Sequence, residues 1–198
     1  MASASGSAFG LIAHAGSSAA QSAAPPFEMT KEQWLDTLLE KKSLAGPLHL
    51  SRFVERIYFL TRPIAWSPNS GQTYKRVEVP PGFVTDFASV PRAFWSFLPP
   101  DGEYAYAAIL HDYLYWTQNR PRAEADDILK FAMGDLKVGS ITTGTIYSAV
   151  RIGGEDAWNS NTQAKAAGEK RILKADKFPN DPTTRWEDFK KRQDVFAD

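Results

Sequence analysis

A chain of 198 residues, 43% hydrophobic and 13% aromatic, suits one folded domain with extensions and is too apolar to be disordered through its middle. Lys plus Arg and Asp plus Glu number 23 each, so the formal net charge is zero and a broadly electrostatic nucleic-acid binder is not expected. The absence of cysteine excludes both a disulfide framework and a thiolate metal site.

Residues 1–29 begin with an Ala/Ser/Gly run that carries no Lys or Arg up to position 26. It lacks the positive start and the apolar core of a secretory signal, and no stretch of the chain approaches the ~20 apolar residues of a membrane-spanning helix. It reads either as a flexible arm or as an assembly arm that orders only against a neighbouring subunit. Thr30-Lys31-Glu32-Gln33 has the pattern of a capping box, and Trp34, Leu35, Leu38 and Leu39 follow at helical spacing. This predicts a helix from Lys31 to Lys42 within a segment 30–43, ended by Ala45-Gly46-Pro47. A globular domain is expected over 44–158. Between Leu48 and Phe87, Phe53, Ile57 to Leu60, Tyr74, Val77 and Val79 favour strands, with a turn at Pro68-Asn69-Ser70-Gly71. The expectation is one small antiparallel sheet of three or four strands. His14 in the arm and His49 at a strand end read as surface residues.

The chemistry concentrates between Gly82 and Met133. Asp86 sits among Phe83, Val84 and Phe87, and a buried carboxylate needs partners. Arg92, in the same motif, is one. Asp86 either caps backbone amides around this turn or joins His111 and Asp112 in one site. Ser89 and Pro91 have the pattern of a helix start, ahead of Phe94, Trp95 and Phe97. Asp101 then caps a helix to Gln118, which Asn119-Arg120-Pro121 ends. On it, His111 and Tyr115 are four apart and share a face. A second helix from Pro121 to Lys137 carries Asp126 and Asp127 in its first two turns. A hairpin of this kind can bring a carboxylate against the imidazole, and a His with one nitrogen held by an acceptor is equipped for general-base work. A satisfied core histidine is the plainer reading of the same residues. Periodicity does not separate the two acids, since both flank the stripe of Ala125, Ile128, Leu129, Ala132 and Met133.

The runs GFVTDFASVPR, AAILHDYLYW and AEAD together resemble a family of small bacteriophage and prophage proteins known only as a domain of unknown function, over Leu48 to Gly153. His111-Asp112-x-x-Tyr115 followed by Ala125-Asp126 is also similar to the motif of phospholipase A2, particularly the disulfide-free parvoviral form. That second resemblance implies His111 as general base for a water, Asp126 as the group that holds its tautomer, Tyr115 bonded to Asp126, and Asp112 as a calcium ligand. Asp126 rather than Asp127 is chosen on this ground. Pro99-Pro100-Asp101-Gly102 is only a loose stand-in for the glycine-rich calcium loop, and the His-to-Asp spacing is compressed.

A third helix is expected from Ile141 to Ile152, stopped by Gly153-Gly154. Tyr147 and Arg151 are four apart on it, and Arg151 either faces the site, to hold Asp112 or a substrate anion, or is an ordinary surface residue. Residues 159–198 read as an extended polar tail whose Trp186, Phe189, Val195 and Phe196 could dock on this domain or another subunit. The expected architecture is α+β, a small antiparallel sheet on three to four helices with an arm at each end. Two functions are consistent with it. One is a virion structural or assembly component, tail- or capsid-associated, that contacts other subunits (homo-oligomeric copies among them) through its arms, in a particle or in the host cytoplasm during assembly. The other is a calcium-dependent, phospholipase A2-like hydrolase acting on a lipid ester, a virion-borne enzyme included. The long arms and the missing calcium loop favour the first.

Overall fold

Eleven of the thirteen residues of helix α1 (Ala105–Thr117) are buried, from Ala105 through Trp116. A helix buried on nearly every side must be surrounded, and this one is the centre of the molecule. It packs on α2 (Arg122–Asp135), on α3 (Ser140–Ala166) and on two strands of the β-region. The computed structural model describes residues 30, 44, 45, 47–87 and 104–197. The arm with His14, the expected helix Lys31–Lys42, Arg92, the short helix after Ser89, the Pro99–Gly102 loop and the Asp101 cap lie outside the described residues.

Instead of one sheet, the chain forms two three-stranded antiparallel sheets. One has the order β1 (Leu44–Ala45), β4 (Ile64–Trp66), β5 (Val77–Val79). The other has the order β2 (Leu50–Arg52), β3 (Tyr58–Leu60), β6 (Val84–Thr85). Ile64 pairs with Val79 and Trp66 with Val77, while Leu50 pairs with Leu60 and Tyr58 with Thr85. Only three residues, ending in Pro63, separate β3 from β4. A proline donates no ladder bond, so the chain leaves one sheet there and starts the other. β4 is buried throughout, and β5 alternates Val77 in, Glu78 out, Val79 in. Side-chain bonds tie this sheet to the helices. The Tyr106 hydroxyl on α1 accepts from the Ala65 N–H and donates to its carbonyl, both at 3.0 Å. Trp66 Nε1 donates to Asp135 at the end of α2, at 2.9 Å. The architecture is α+β.

α3 runs through the expected stop at Gly153-Gly154 and past residue 158 to Ala166, 27 residues in all. Two non-local needs outweigh the local glycine signal, which costs roughly 1 kcal/mol per residue against Ala. A Cβ on Gly154 would lie 2.3 Å from the Tyr115 hydroxyl, so the glycine is there for close approach. Beyond it, α3 caps the C-terminus of α1: Asn161 Nδ2 donates to the Tyr115 carbonyl at 3.1 Å. Gln118, left-handed at φ 52°, is held there by its own Nε2 bond to the Trp158 carbonyl at 2.7 Å. The exposed carbonyls of a helix end must find donors somewhere, and here a second helix supplies them.

Residues 171–197 return to the domain, one of the two placements open to the late aromatics. Val84 N–H donates to the Arg171 carbonyl and Leu173 N–H to the Gly82 carbonyl, extending the β6 edge. Gly82, at φ 84°, admits no side chain, because a Cβ would lie 2.0 Å from the Leu173 carbonyl oxygen. Trp186 and Phe189 of the short helix α4 (Trp186–Phe189), with Leu173, Val195 and Phe196, bury against Phe53, Phe59 and Val84 as a second apolar cluster.

A candidate His-Asp site between three helices

α1 and α2 form the helical hairpin, and its geometry brings His111 and Asp126 together, both with no exposure. His111 Nε2 lies 2.9 Å from Asp126 Oδ1. An ionised carboxylate only accepts, so the shared proton belongs to Nε2 and the tautomer is set. Tyr115, one turn along α1, donates to the same oxygen at 2.6 Å. The other oxygen, Oδ2, accepts from Arg151 of α3 at 2.8 Å and from Arg122, one turn earlier on α2, at 3.3 Å. Two donors on each oxygen fill the roughly four acceptor positions a carboxylate offers.

The electrostatics follow from this count. Burial pushes the Asp126 carboxyl up, but the bonds from His111, Tyr115 and Arg151 outweigh it and hold it below the usual carboxylate range. Burial, then the bond to Asp126, pushes the Tyr115 hydroxyl far above its ordinary value. The tyrosine ring is fixed on both sides, 4.1 Å between centroids from the His111 ring and 5.2 Å, edge-on, from Trp158 of α3. Arg122 is anchored further by the Val150 carbonyl at 3.1 Å. The centre is thus a carboxylate wired to three helices.

The other expected site residues point elsewhere. Asp127 turns away from His111 and accepts from Tyr74 and Tyr147, each at 2.7 Å. The first of these bonds pushes the Tyr74 hydroxyl up to about 12. Arg151 therefore holds Asp126, rather than Asp112, and Tyr147 belongs to the Asp127 group. Asp112 is buried on the face of α1 toward β6, and its Oδ2 accepts a short bond from Thr85 Oγ1. That hydroxyl in turn accepts from the Phe87 N–H at 3.2 Å. Phe87 is left-handed at φ 58°, a conformation that costs a buried aromatic ~1–3 kcal/mol and is held by its surroundings. Asp86 is partly exposed and lines a small cleft with Ile57, Glu169, Arg171 and Trp186; its expected partner Arg92 lies outside the described residues.

On sequence alone Arg122, Thr85, Tyr74 and Gly154 have no assigned place in the site; Tyr74 reads as a strand residue and Gly154 as a helix stop. The i, i+4 spacing of Arg122 and Asp126 was a usable signal. The other three act across the fold and left no local one.

Calcium, implied for Asp112, takes six to eight oxygens. No group of three or more His, Asp or Glu among the described residues is placed to hold a metal. Asp112 brings one carboxylate, already engaged by Thr85. The described residues alone do not fit the ion, and no chemistry is routed through it. No helix among the described residues is long and apolar enough to cross a membrane.

Residues 60–150, just under half of the chain, match the family DUF1353, described as a protein of unknown function. The match takes in His111, Asp112, Tyr115, Arg122, Asp126 and Asp127, and stops one residue short of Arg151. No curated protein and no solved structure matches the chain.

Proposed function

We propose that this chain is a structural or assembly component of a bacteriophage or prophage particle, and that the His111–Asp126 network is the lock that makes its helical unit rigid. The phage setting rests on the motif resemblance. The structural role rests on one observation: His111 and Asp126 have no exposure, and every acceptor position of the carboxylate is filled from α1, α2 and α3. A general base must meet its water within about 3.2 Å, directly or through one other water. A sealed imidazole is poorly placed for that. Two guanidinium groups already neutralise Asp126, which weakens its support for an imidazolium. The direct test is composition. Particles purified from an induced lysogen that encodes the chain are expected to contain it at a fixed copy number by quantitative mass spectrometry, and its absence from intact particles would overturn the proposal.

A hydrolase is the second reading, favoured by a specific geometry. The Nε2 bond to Asp126 and the Tyr115 bond to the same oxygen form the arrangement implied by the phospholipase A2 resemblance. In this reading Asp126 orients His111, and His111 takes the proton of a water that attacks a carboxylic ester. A general base contributes ~10² to 10⁴-fold, so His111→Ala would remove nearly all turnover. Phospholipid hydrolysis, measured with calcium or with chelator beside the melting temperature, separates the two. In the structural reading wild type is inactive on every lipid, and His111→Ala loses ~1–3 kcal/mol through unpaired buried neighbours.

A further inference from the structure

Residues 169–197 join the rest of the molecule along one seam. Upstream of it, the end of α3 is closed by its own backbone: the Gly168 N–H donates to the Lys165 carbonyl at 3.0 Å and the Glu169 N–H to the Ala164 carbonyl at 2.9 Å. With Gly168 left-handed at φ 86° and in open space, this is a complete helix stop that needs nothing from the tail beyond it. Downstream, the tail is braced by itself. Lys177 pairs with Asp176, Lys190 with Glu187, Lys191 with Asp188 and Arg192 with Asp194. Residues 174–177 and 180–183 are exposed.

The seam has two clasps. At the first, Arg171 to Leu173 adds a strand to β6, through the Val84 N–H to Arg171 carbonyl bond at 2.8 Å and the Leu173 N–H to Gly82 carbonyl bond at 2.9 Å. The Arg171 guanidinium also lies over the Trp116 ring of α1, 4.6 Å from its centroid. At the second, the Glu55 carboxylate, in the turn between β2 and β3, accepts from the Trp186 N–H at 2.8 Å and from Arg185 Nε at 3.3 Å. Beside it the Val54 N–H donates to the Thr184 carbonyl at 3.0 Å. Arg185–Glu55 is the one ion pair, among the described residues, that joins the tail to the rest of the chain. Trp186, Phe189 and Phe196 lie with Phe53, Phe59 and Val84 in a cluster separate from the one that α1 anchors. The seam is not close-packed. A cleft of about 330 Å³ opens between Ala164 and Ala167 at the end of α3 and Lys190 and Phe196 of the tail. A smaller one, of about 40 Å³, opens between Ile57 and Val84 on one side and Arg171 and Trp186 on the other. An element with its own apolar cluster, few bonds across its border and voids along it is of the kind that opens while the rest stays folded.

We infer that residues 169–197 are a detachable strap, which opens as one unit about Gly168 and leaves the helical centre intact. Opening bares a receptor for an extended segment, with the Val84 N–H and Gly82 carbonyl as its strand edge and Phe53 and Phe59 as the floor for aromatic anchors. The strap is its resident occupant. The inference holds whether or not His111 is catalytic. Hydrogen exchange of the full chain tests it: the amides of Val84, Leu173, Lys174 and Ala197 should share one opening, at least about 100-fold more frequent than that of Leu110 and Leu114 in α1. Glu55→Ala should speed those four together by about 10-fold and leave α1 unchanged. A fluorescent peptide of residues 169–197 should bind the full-length Phe189→Ala variant, whose strap is loosened, and should bind it less when the peptide carries Trp186→Ala. Exchange of the four amides only together with α1 overturns the strap, and so does a Glu55→Ala effect confined to one of them. A Phe189→Ala chain that keeps α1 protected yet takes up no peptide overturns the receptor, as does uptake indifferent to Trp186→Ala.

Discussion

Two regions of this molecule are held by opposite physics. Between the three long helices sits one carboxylate with four donors and no exposure; beneath the C-terminal segment sits a cluster of rings and aliphatic chains. In the first, each bond is directional, and the removal of one group leaves a buried polar partner short of a bond, although Arg122 and Arg151 keep part of their surface in solvent. In the second, Phe53 meets Phe59, Trp186 and Phe189 with centroids 5.2–5.5 Å apart and tilted planes, contacts that tolerate small shifts. A buried ion network is weak evidence for net stability, since well-packed apolar residues can match it, but it strongly penalises any arrangement that breaks it. The comparison teaches that the helical centre is built to specify one geometry, and the C-terminal cluster to supply adhesive area.

Asp126→Ala should break the comparison most severely. It strands an imidazole, a phenol and two guanidinium groups, and a loss of ~3–5 kcal/mol is expected in urea unfolding. A loss below about 1 kcal/mol would mean that the network is dispensable to the fold. Gly154→Ala attacks the same centre from α3, by forcing a methyl group onto the Tyr115 hydroxyl, for ~1–3 kcal/mol. Tyr115→Phe in the same chain should recover part of that loss, and strict additivity would show that the contact is not the cause. In the apolar cluster, Phe189→Leu keeps most of the volume and should cost less than ~1.5 kcal/mol.

The smallest effects are those of pH, and they differ in sign. Asp126 has a depressed carboxyl, so its contribution is full above the unfolded value of about 4 and is lost as pH falls through the lower folded value. Tyr74 is raised to about 12, so its contribution is full below about 10 and is lost as pH climbs from there to the folded value. Chemical denaturation across pH should therefore show an acid arm that Asp126→Asn flattens and an alkaline arm that Tyr74→Phe flattens. An alkaline arm unchanged in Tyr74→Phe would assign it to another group.

How much of this was legible beforehand depended on distance along the chain. His111 with Tyr115 and the hairpin with its two acids follow from short spacings, because helix geometry places i and i+4 on one face wherever the helix lies. The choice of Asp126 over Asp127 did not follow from periodicity, since both flank the same apolar stripe. It is made by what approaches each side: His111 and the two arginines on one, Tyr74 and Tyr147 on the other. The Gly153-Gly154 stop misled because a glycine inside a helix looks the same whether it ends the helix or admits a neighbour.

By itself, then, the sequence determined the α+β class, the strand-rich stretch ahead of a helical core and the pairing of a histidine helix with an aspartate helix. These are carried by periodicity, which acts within a few residues. Only the tertiary structure decided that the strands divide into two sheets, that α3 runs on to cap α1, that residues 171–197 pack back onto β6, and that Asp126 takes four donors. Each of these depends on which surfaces meet, and a buried polar group is satisfied by whatever the fold brings to it, from any distance along the chain.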